Sequence, residues 1–277
     1  MMPFYGDVAQ FQQAVRSVLG QGHGELRLVV VDDCYPDPTP REWLTDLDDP
    51  RVTYLRNEAN LGVNGNFRRC VDLVEAEHFV VMGCDDIMHP EYLSTVAERA
   101  AAHPEASVIQ PGVEVIDDAG AVITPLGDRI KARLAPGYAT VLSGEAMATS
   151  LYHGNWTYFP SLLWRTEPVR RVGFRPGLEV VLDLALLVDL AADGGSLVYD
   201  PAVVFSYRRH AASVSSVRAT DGRRFDEESE FFAGEARRCA ERGWPRAARA
   251  ARWHLTSRLH GAQARAGAIL ARLIPHR

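Results

Sequence analysis

The apolar positions of the first 120 residues alternate between two periods. Val8, Phe11, Val15, Val18 and Leu19 recur at helical spacing and predict an amphipathic helix over about residues 8–19, which Gly20, Gly22 and Gly24 break. Leu26 to Val31 is a near-continuous apolar run, interrupted only by Arg27 and ending in Asp32-Asp33. That pattern suits a parallel strand buried on both faces. A short strand around Val52–Leu55 follows, then a helix carrying Phe67, Cys70, Val71 and Val74. Phe79 to Met82 predicts another buried strand, closely followed by Asp85-Asp86, and Pro90 opens a helix with Tyr92, Leu93, Val96 and Ala100. Val108–Ile109 and Val113–Ile116 predict two further strand segments. Such alternation implies a doubly wound α/β sheet, in which ligands bind beyond the carboxyl ends of the strands. Both acidic pairs sit at expected strand ends and so face that crevice.

The periodicity weakens over residues 118–160, a Gly- and Pro-rich stretch expected to form loops and short strands over the crevice. A helix is expected from Val180 to Ala192, strands over Leu197–Tyr199 and Val203–Tyr207, and helix from about residue 224 onward, broken at Pro245. Residues 1–222 are therefore expected to form the main domain and 223–277 a helical extension.

Composition narrows the function classes. With 47% hydrophobic and 24% charged residues among 277, the chain is an ordinary globular protein, not a disordered or fibrous one. It has no apolar run of the roughly 18–20 residues that a membrane-spanning helix needs, and no secretory leader pattern at the N-terminus. Cys34, Cys70, Cys84 and Cys239 show no metal-finger spacing, which favours a reducing, cytoplasmic setting. A net charge of −6 argues against nucleic acid as a partner. The charge is uneven: after Glu241 there is no acid, while Arg242, Arg246, Arg249, Arg252, Arg258, Arg265, Arg272 and Arg277 follow. Two readings of this tail stand open. It lies peripherally on an anionic membrane surface at the inner face, or it packs on the acidic body or on a second copy in a homodimer.

Paired carboxylates at a strand end suit a hard divalent cation, which takes oxygen ligands and neutralises a diphosphate. Solvated loop acids or helix caps are the plainer alternative. The motifs then point further. Pro3-Phe4-Tyr5, Val29-Val30-Val31-Asp32-Asp33, the turn Asn57-Glu58-Ala59-Asn60-Leu61-Gly62 with Asn66, Asp85-Asp86 with Pro90-Glu91, Asp183 before Leu190-Ala191-Ala192-Asp193-Gly194, and Tyr207-Arg208-Arg209-His210-Ala211-Ala212-Ser213 occur in order. In this the chain resembles a family 2 glycosyltransferase of the GT-A fold over about residues 1–215.

The resemblance implies a GT-A type doubly wound, mostly parallel sheet flanked by helices, with the helical appendage behind it. It implies a nucleotide-diphosphate sugar donor contacted by Pro3, Tyr5, Asp33, Asn60, Asn66 and Asp85. It implies a Mg²⁺ or Mn²⁺ ion on Asp85 and Asp86 with help from His210, and Asp183 as the base that activates an acceptor hydroxyl. The acceptor would be a saccharide, a lipid-linked intermediate or a natural product, and direct attack would invert the anomeric carbon. Two positions depart from the family pattern: Gly83 stands where the first metal-site Asp often does, and Leu182 replaces a Glu. Only Met1 and Met2 precede Pro3, where the family has a full strand. Either the start lies upstream or the first strand is vestigial.

Glu179 and Asp189 rival Asp183 as the base. His153, Asn155, Trp156 and Tyr158 form a polar-aromatic cluster suited to an acceptor or donor pocket, with core packing of Trp156 as the competing role. A signalling receiver domain is a weak rival, since the only lysine, Lys131, lies in the Gly/Pro-rich stretch. A non-catalytic sugar-nucleotide-binding protein of the same fold is the alternative that the two departures keep open.

Overall fold

The computed structural model describes residues 1–22, 25–209 and 223–253. Its first layer is a three-stranded parallel sheet, β1 (Met2–Phe4), β2 (Leu28–Asp32) and β3 (Val52–Arg56), in the order β1-β2-β3. The connecting helices are α1 (Val8–Leu19) and α2 (Thr39–Leu47). Helix α1 has the expected bounds and begins at Asp7, whose side chain accepts the Gln10 N–H. After β3 the chain enters α3 (Gly62–Asp72), then β4 (His78–Phe79), β5 (Ile87–Met88) and α4 (Tyr92–Ala102).

A second, mixed sheet has the order β4-β9-β6-β10-β5. Here β6 (Val108–Ile116) and β10 (Ser196–Arg208) run parallel over nine paired positions, while β9 (Leu163–Arg165) lies antiparallel to β6. The longest ladders are thus parallel, and antiparallel strands close the edges. Met1 joins the two sheets: its terminal ammonium donates to the Val80 carbonyl at 2.8 Å, and its carbonyl accepts the Met82 N–H at 3.0 Å. The strand expected over Phe79–Met82 is accordingly split, with Val80–Met82 paired to the N-terminus.

Side chains alternate across β2 as the pleat requires. Val29 and Val31 face one core, which they share with α3 and with the C-terminal helices; Leu28 and Val30 face the other, with Phe4, Phe11, Val15 and Tyr92.

The expectation for residues 118–160 is corrected. Besides the short strands β7 (Val122–Ile123) and β8 (Thr140–Ser143), the segment holds two helices, α5 (Leu126–Leu134) and α6 (Gly144–His153). Met147, Ala148, Leu151 and Tyr152 form a fully buried stripe along α6, so tertiary burial overrides the breakers on either side. The two strand segments near residue 110 are one strand, β6. Likewise β10 is a single strand, irregular between Asp200 and Phe205, where the Pro201 and Ala202 carbonyls crowd Gly112 so closely that a Cβ would lie 2.5 Å from one of them.

Helices α7 (Thr166–Val172) and α8 (Leu182–Ala192) follow β9. Helix α8 is apolar nearly all round and enclosed except at Asp183, Asp189 and its last residue, Ala192. The C-terminal region is helical as expected through α9 (Arg223–Glu241) and α10 (Pro245–Trp253). Phe231, Phe232, Ala236, Ala247 and Ala251 place these helices in the same core as α6 and α8. The tail beyond Trp253, with its four last arginines, lies outside the described residues. Among the described residues no helix is long and apolar enough to cross a membrane, and all four cysteines are free thiols.

Candidate active site

Asp32-Asp33 closes β2 as expected, whereas Asp85-Asp86 stands not at a strand's carboxyl end but in the turn that leads from the Val80–Met82 segment into β5. Asp32 is engaged on both oxygens: Oδ1 accepts the Tyr35 N–H at 2.7 Å, and Oδ2 accepts Arg56 at 2.9 Å and the Tyr54 hydroxyl. Asp33 Oδ1 accepts Asn57 Nδ2 at 2.9 Å and the Leu61 N–H at 2.8 Å. Asn57 also donates to Asn66 Oδ1 at 3.0 Å, and Asn66 Nδ2 donates to the Val31 carbonyl at 2.8 Å. The network clamps the 57–61 turn over the strand end. Asn66 is buried within it rather than open to the crevice. Asn60 is exposed and caps the start of α3 through the Gly62 N–H at 2.9 Å. Pro3 lies inside β1, buried and in register with Val31, whereas the next aromatic, Tyr5, is 55% exposed and stands edge-on to Tyr35.

The Gly83–Asp86 turn is built differently. Arg208, 2% exposed, is its keystone: its N–H donates to Asp86 Oδ1 at 2.8 Å, and its Nε donates to the Asp85 carbonyl at 2.7 Å. The rest of the guanidinium is held by the Asp117 and Asp118 carbonyls and by Gln13. Asp86 is 1% exposed, and its Oδ2 is buried without a hydrogen-bond partner among the described residues. Burial, and then the charge of Asp85, hold the Asp86 carboxyl well above the usual carboxylate range, against the opposing pull of Arg208. Both carboxylates turn toward Gly83: a Cβ there would lie 2.5 Å from Asp86 Oδ2 and 2.9 Å from Asp85 Oδ1. The glycine therefore permits this convergence, and an aspartate in its place would collide with it. An orphaned, buried carboxylate oxygen beside a second carboxylate fits a hard divalent cation. Among the described residues no group of three or more His, Cys, Asp or Glu side chains gathers as a complete ligand set, so a cation here would need oxygens from elsewhere. His210 lies outside the described residues.

Asp183 stands in the first turn of α8. Its Oδ2 accepts Asn155 Nδ2 at 2.8 Å, and burial raises its carboxyl pKa, opposed by the Leu184 N–H, the Lys131 charge and Asn155. Asn155 is fixed in turn by Thr157, whose hydroxyl donates to its Oδ1 at 2.7 Å. Lys131 on α5 donates to the Thr157 carbonyl at 3.0 Å and lies 4.4 Å over the Tyr158 ring. The rival Asp189 is bound by Arg175 and Arg238, away from this group. Trp156 is not brought to the cleft: it is 2% exposed, donates to Ser150 and packs edge-on to Tyr199. His153 is exposed at the end of α6.

Contacts and charge interactions link the surroundings of the three acidic positions. The Asp33 N–H donates to the Phe4 carbonyl at 2.9 Å, and the next residues, Tyr5 and Gly6, lie against Cys84, whose thiol burial pushes up to about 12. Tyr207 is raised to about 12 by burial and by the charges of Asp86 and Asp85. Tyr207 packs 5.3 Å from Tyr158, and Asp128 accepts both the Tyr158 hydroxyl at 2.9 Å and Arg209 at 2.8 Å. Lys131, over the Tyr158 ring, also acts on Asp183 through its charge. Lys131, Asp128 and Tyr207 were not marked as site residues in the sequence. The one available signal was that Lys131 is the only lysine of the chain.

Comparison with known proteins identifies the family and the fold. The sequence profile described as Glycosyl transferase family 2 matches residues 1–140. The succinoglycan biosynthesis protein ExoO of Rhizobium meliloti is 26% identical over 218 residues, covering 78% of this chain and 62% of ExoO. The chain thus spans about 62% of the length of that relative. The putative colanic acid biosynthesis glycosyl transferase WcaA of Escherichia coli is 31% identical over 83 residues, 30% of each chain. Among solved structures, S. aureus TarS residues 1–349 in complex with UDP-GlcNAc superposes with a TM-score of 0.65 at 15% identity, covering 84% of this chain and 64% of that one. The mannosyltransferase PcManGT from Pyrobaculum calidifontis, in complex with GDP-Man and Mn²⁺, gives 0.67 at 15% identity, covering 100% and 75%.

Proposed function

The chain belongs to glycosyl transferase family 2 and has the GT-A fold, and we propose that it moves a hexose from a nucleotide-diphosphate donor to an acceptor hydroxyl with inversion at the anomeric carbon. What supports this reading is the buried, unmatched Asp86 oxygen beside Asp85, together with a separate buried carboxylate, Asp183, attended by Asn155 and by the Lys131 charge.

Asp183 is the base. The acceptor O–H gives its proton to the Asp183 carboxylate as the acceptor oxygen bonds to the anomeric carbon. The bond from that carbon to the phosphate oxygen breaks in the same displacement, and the nucleoside diphosphate leaves with the electron pair. Asn155 holds the carboxylate in place, and the Lys131 charge opposes the effect of burial on it. A carboxylate whose pKa is raised is a stronger base, as long as it is ionised at the working pH. On the donor side Tyr5 offers an exposed ring to the nucleotide base, and Asp33 and Asn60 set the turn beside it.

Asp85 and Asp86 would hold Mg²⁺ or Mn²⁺, with the donor's diphosphate oxygens completing the ligand set. When bound, the ion offsets the negative charge that develops on the diphosphate. The complexes of TarS with UDP-GlcNAc and of PcManGT with GDP-Man and Mn²⁺ make UDP- and GDP-sugars the first donors to try.

The test is release of UDP or GDP from a panel of such sugars by the chelator-treated protein, with and without added Mn²⁺, using water or simple saccharides as acceptors. Turnover that needs Mn²⁺ and is lost in Asp183→Asn supports the reading. Donor binding without turnover across the panel would make the chain a sugar-nucleotide-binding protein instead.

A further inference from the structure

Helix α8 carries Asp183 in its first turn, yet it starts without a cap of its own. Val181 flanks it and has no side chain that can cap, while the Asp183 carboxylate takes first-turn N–H groups only from Asp183 and Leu184 onward. Helix starts leave such N–H groups in need of acceptors. Here the acceptor comes from the far end of the chain. Glu227 on α9 reaches across, and its Oε1 accepts the N–H groups of Glu179 at 2.9 Å, Val180 at 2.7 Å and Val181 at 3.1 Å. Three successive backbone donors on one carboxylate oxygen form an anion nest, and the negative charge lies at the favourable end of the helix dipole.

The same helix also holds the partner of Asp183. About two turns after Glu227, the buried Glu235 accepts the Tyr152 hydroxyl at 2.6 Å and Arg175 at 2.7 Å. Tyr152 lies in the last turn of α6, three residues before Asn155. Arg175 begins the loop that leads to residue 179, and it is also paired with Asp189 on α8. On the opposite side, Asn64 of α3 donates to the Glu179 carbonyl at 2.9 Å. The Asp183–Asn155 contact is therefore made by two segments that α9 grips separately.

We propose that Glu227 is a positioning residue for sugar transfer. By collecting the N–H groups of residues 179–181 it sets the first turn of α8, and so the place of the Asp183 carboxylate against the acceptor. The inference rests on the reading of Asp183 as the base. A displacement of about 1 Å at a reacting group can cost on the order of 10²-fold in rate, so a loosened turn has a measurable consequence.

The experiment uses the full chain with Glu227→Ala, Glu227→Gln and Glu227→Asp, beside Asp183→Asn. Mn²⁺-dependent release of nucleoside diphosphate from the best-used UDP- or GDP-sugar gives kcat and KM. Amide hydrogen exchange over residues 179–184 is read on the same samples. Glu227→Ala is expected to lower kcat about tenfold or more, to leave the donor KM within about twofold, and to speed exchange at 179–181. Glu227→Gln keeps an accepting oxygen and is expected to recover most of the loss. Should the alanine variant fail to fold, Glu227→Asp is expected to show a smaller loss of the same kind, because its carboxylate stops one methylene short. Wild-type kcat and unchanged exchange at 179–181 in a folded Glu227→Ala, or in Glu227→Asp, would overturn the proposal. Equal falls in kcat for Glu227→Ala and Glu227→Gln would overturn it too. Failure of the underlying reading looks different: Asp183→Asn would then turn over at the wild-type rate.

Discussion

Asp32-Asp33 and Asp85-Asp86 are identical in sequence, and each follows a buried segment, the first at the end of β2 and the second in the turn before β5. Their surroundings differ. The first pair is met by donors: Asp32 by a backbone N–H, an arginine and a tyrosine hydroxyl, and Asp33 by an asparagine and a backbone N–H. The second pair converges on a glycine, with one oxygen of Asp86 buried and unmatched and its carboxyl held high by burial and by its neighbour. Asp32, met by protein donors on both oxygens, acts as scaffold, while Asp86, with one oxygen buried and unmatched, is poised to take a cation or a proton. Asp183 stands between them: it accepts Asn155, yet burial raises its pKa more than its donors and the Lys131 charge lower it.

The largest expected break in this contrast is Asp183→Asn. Loss of a general base costs about 10²–10⁴-fold in rate, so kcat is expected to fall in that range while donor affinity stays near wild type, as separate turnover and binding measurements would show. The scaffold acids are expected to behave the other way. Asp32→Ala strands the Tyr35 N–H, the Tyr54 hydroxyl and Arg56, and is expected to cost about 1–3 kcal/mol in urea unfolding while leaving the Mn²⁺ response of the folded protein intact.

Gly83→Ala sharpens the comparison from the backbone side. Its Cβ would press on both carboxylates, so an about tenfold weaker Mn²⁺ response is expected, corresponding to roughly 1.4 kcal/mol, with little change in thermal midpoint without metal. Substituting the more usual aspartate is expected to do worse, not better. The smallest expected effect is in the pH profile. The base acts ionised and its folded pKa is raised, so kcat is expected to rise with pH through a midpoint above the ordinary carboxylate value of about 4. A midpoint at or below that value would place the base elsewhere.

Much of this molecule was legible in the sequence because local pattern and tertiary burial agree there. Helix α1 has the bounds that its apolar spacing predicts, β2 ends at the expected aspartates, and both acidic pairs stand at a strand end or in the turn beside it. Helices α5 and α6 were hidden because glycines and prolines around them suggest loops, although Met147, Ala148, Leu151 and Tyr152 already spell a helical stripe. The partners that decide each acid's role were out of reach of local pattern. Asn155 lies 28 residues from Asp183, Arg208 lies 122 from Asp86, and Glu227 lies 46–48 from the amides it gathers. Nothing near Asp32 in the chain reveals that Arg56 and Tyr54 satisfy it. Trp156 shows the opposite error, in which an aromatic beside polar residues suggests a sugar platform but packs into the core.

The most direct measurement is a thermal-shift titration with Mn²⁺ in the presence of UDP or GDP, on the wild type, Asp32→Asn and Asp86→Asn. Ligand that binds only the folded state raises apparent stability by mass action, by about 2.7 kcal/mol at a hundred times its Kd. The expected result is a Mn²⁺-dependent rise in the wild type and in Asp32→Asn and none in Asp86→Asn. A rise that survives in Asp86→Asn and disappears in Asp32→Asn would contradict the assignment of scaffold to Asp32 and of chemistry to Asp86.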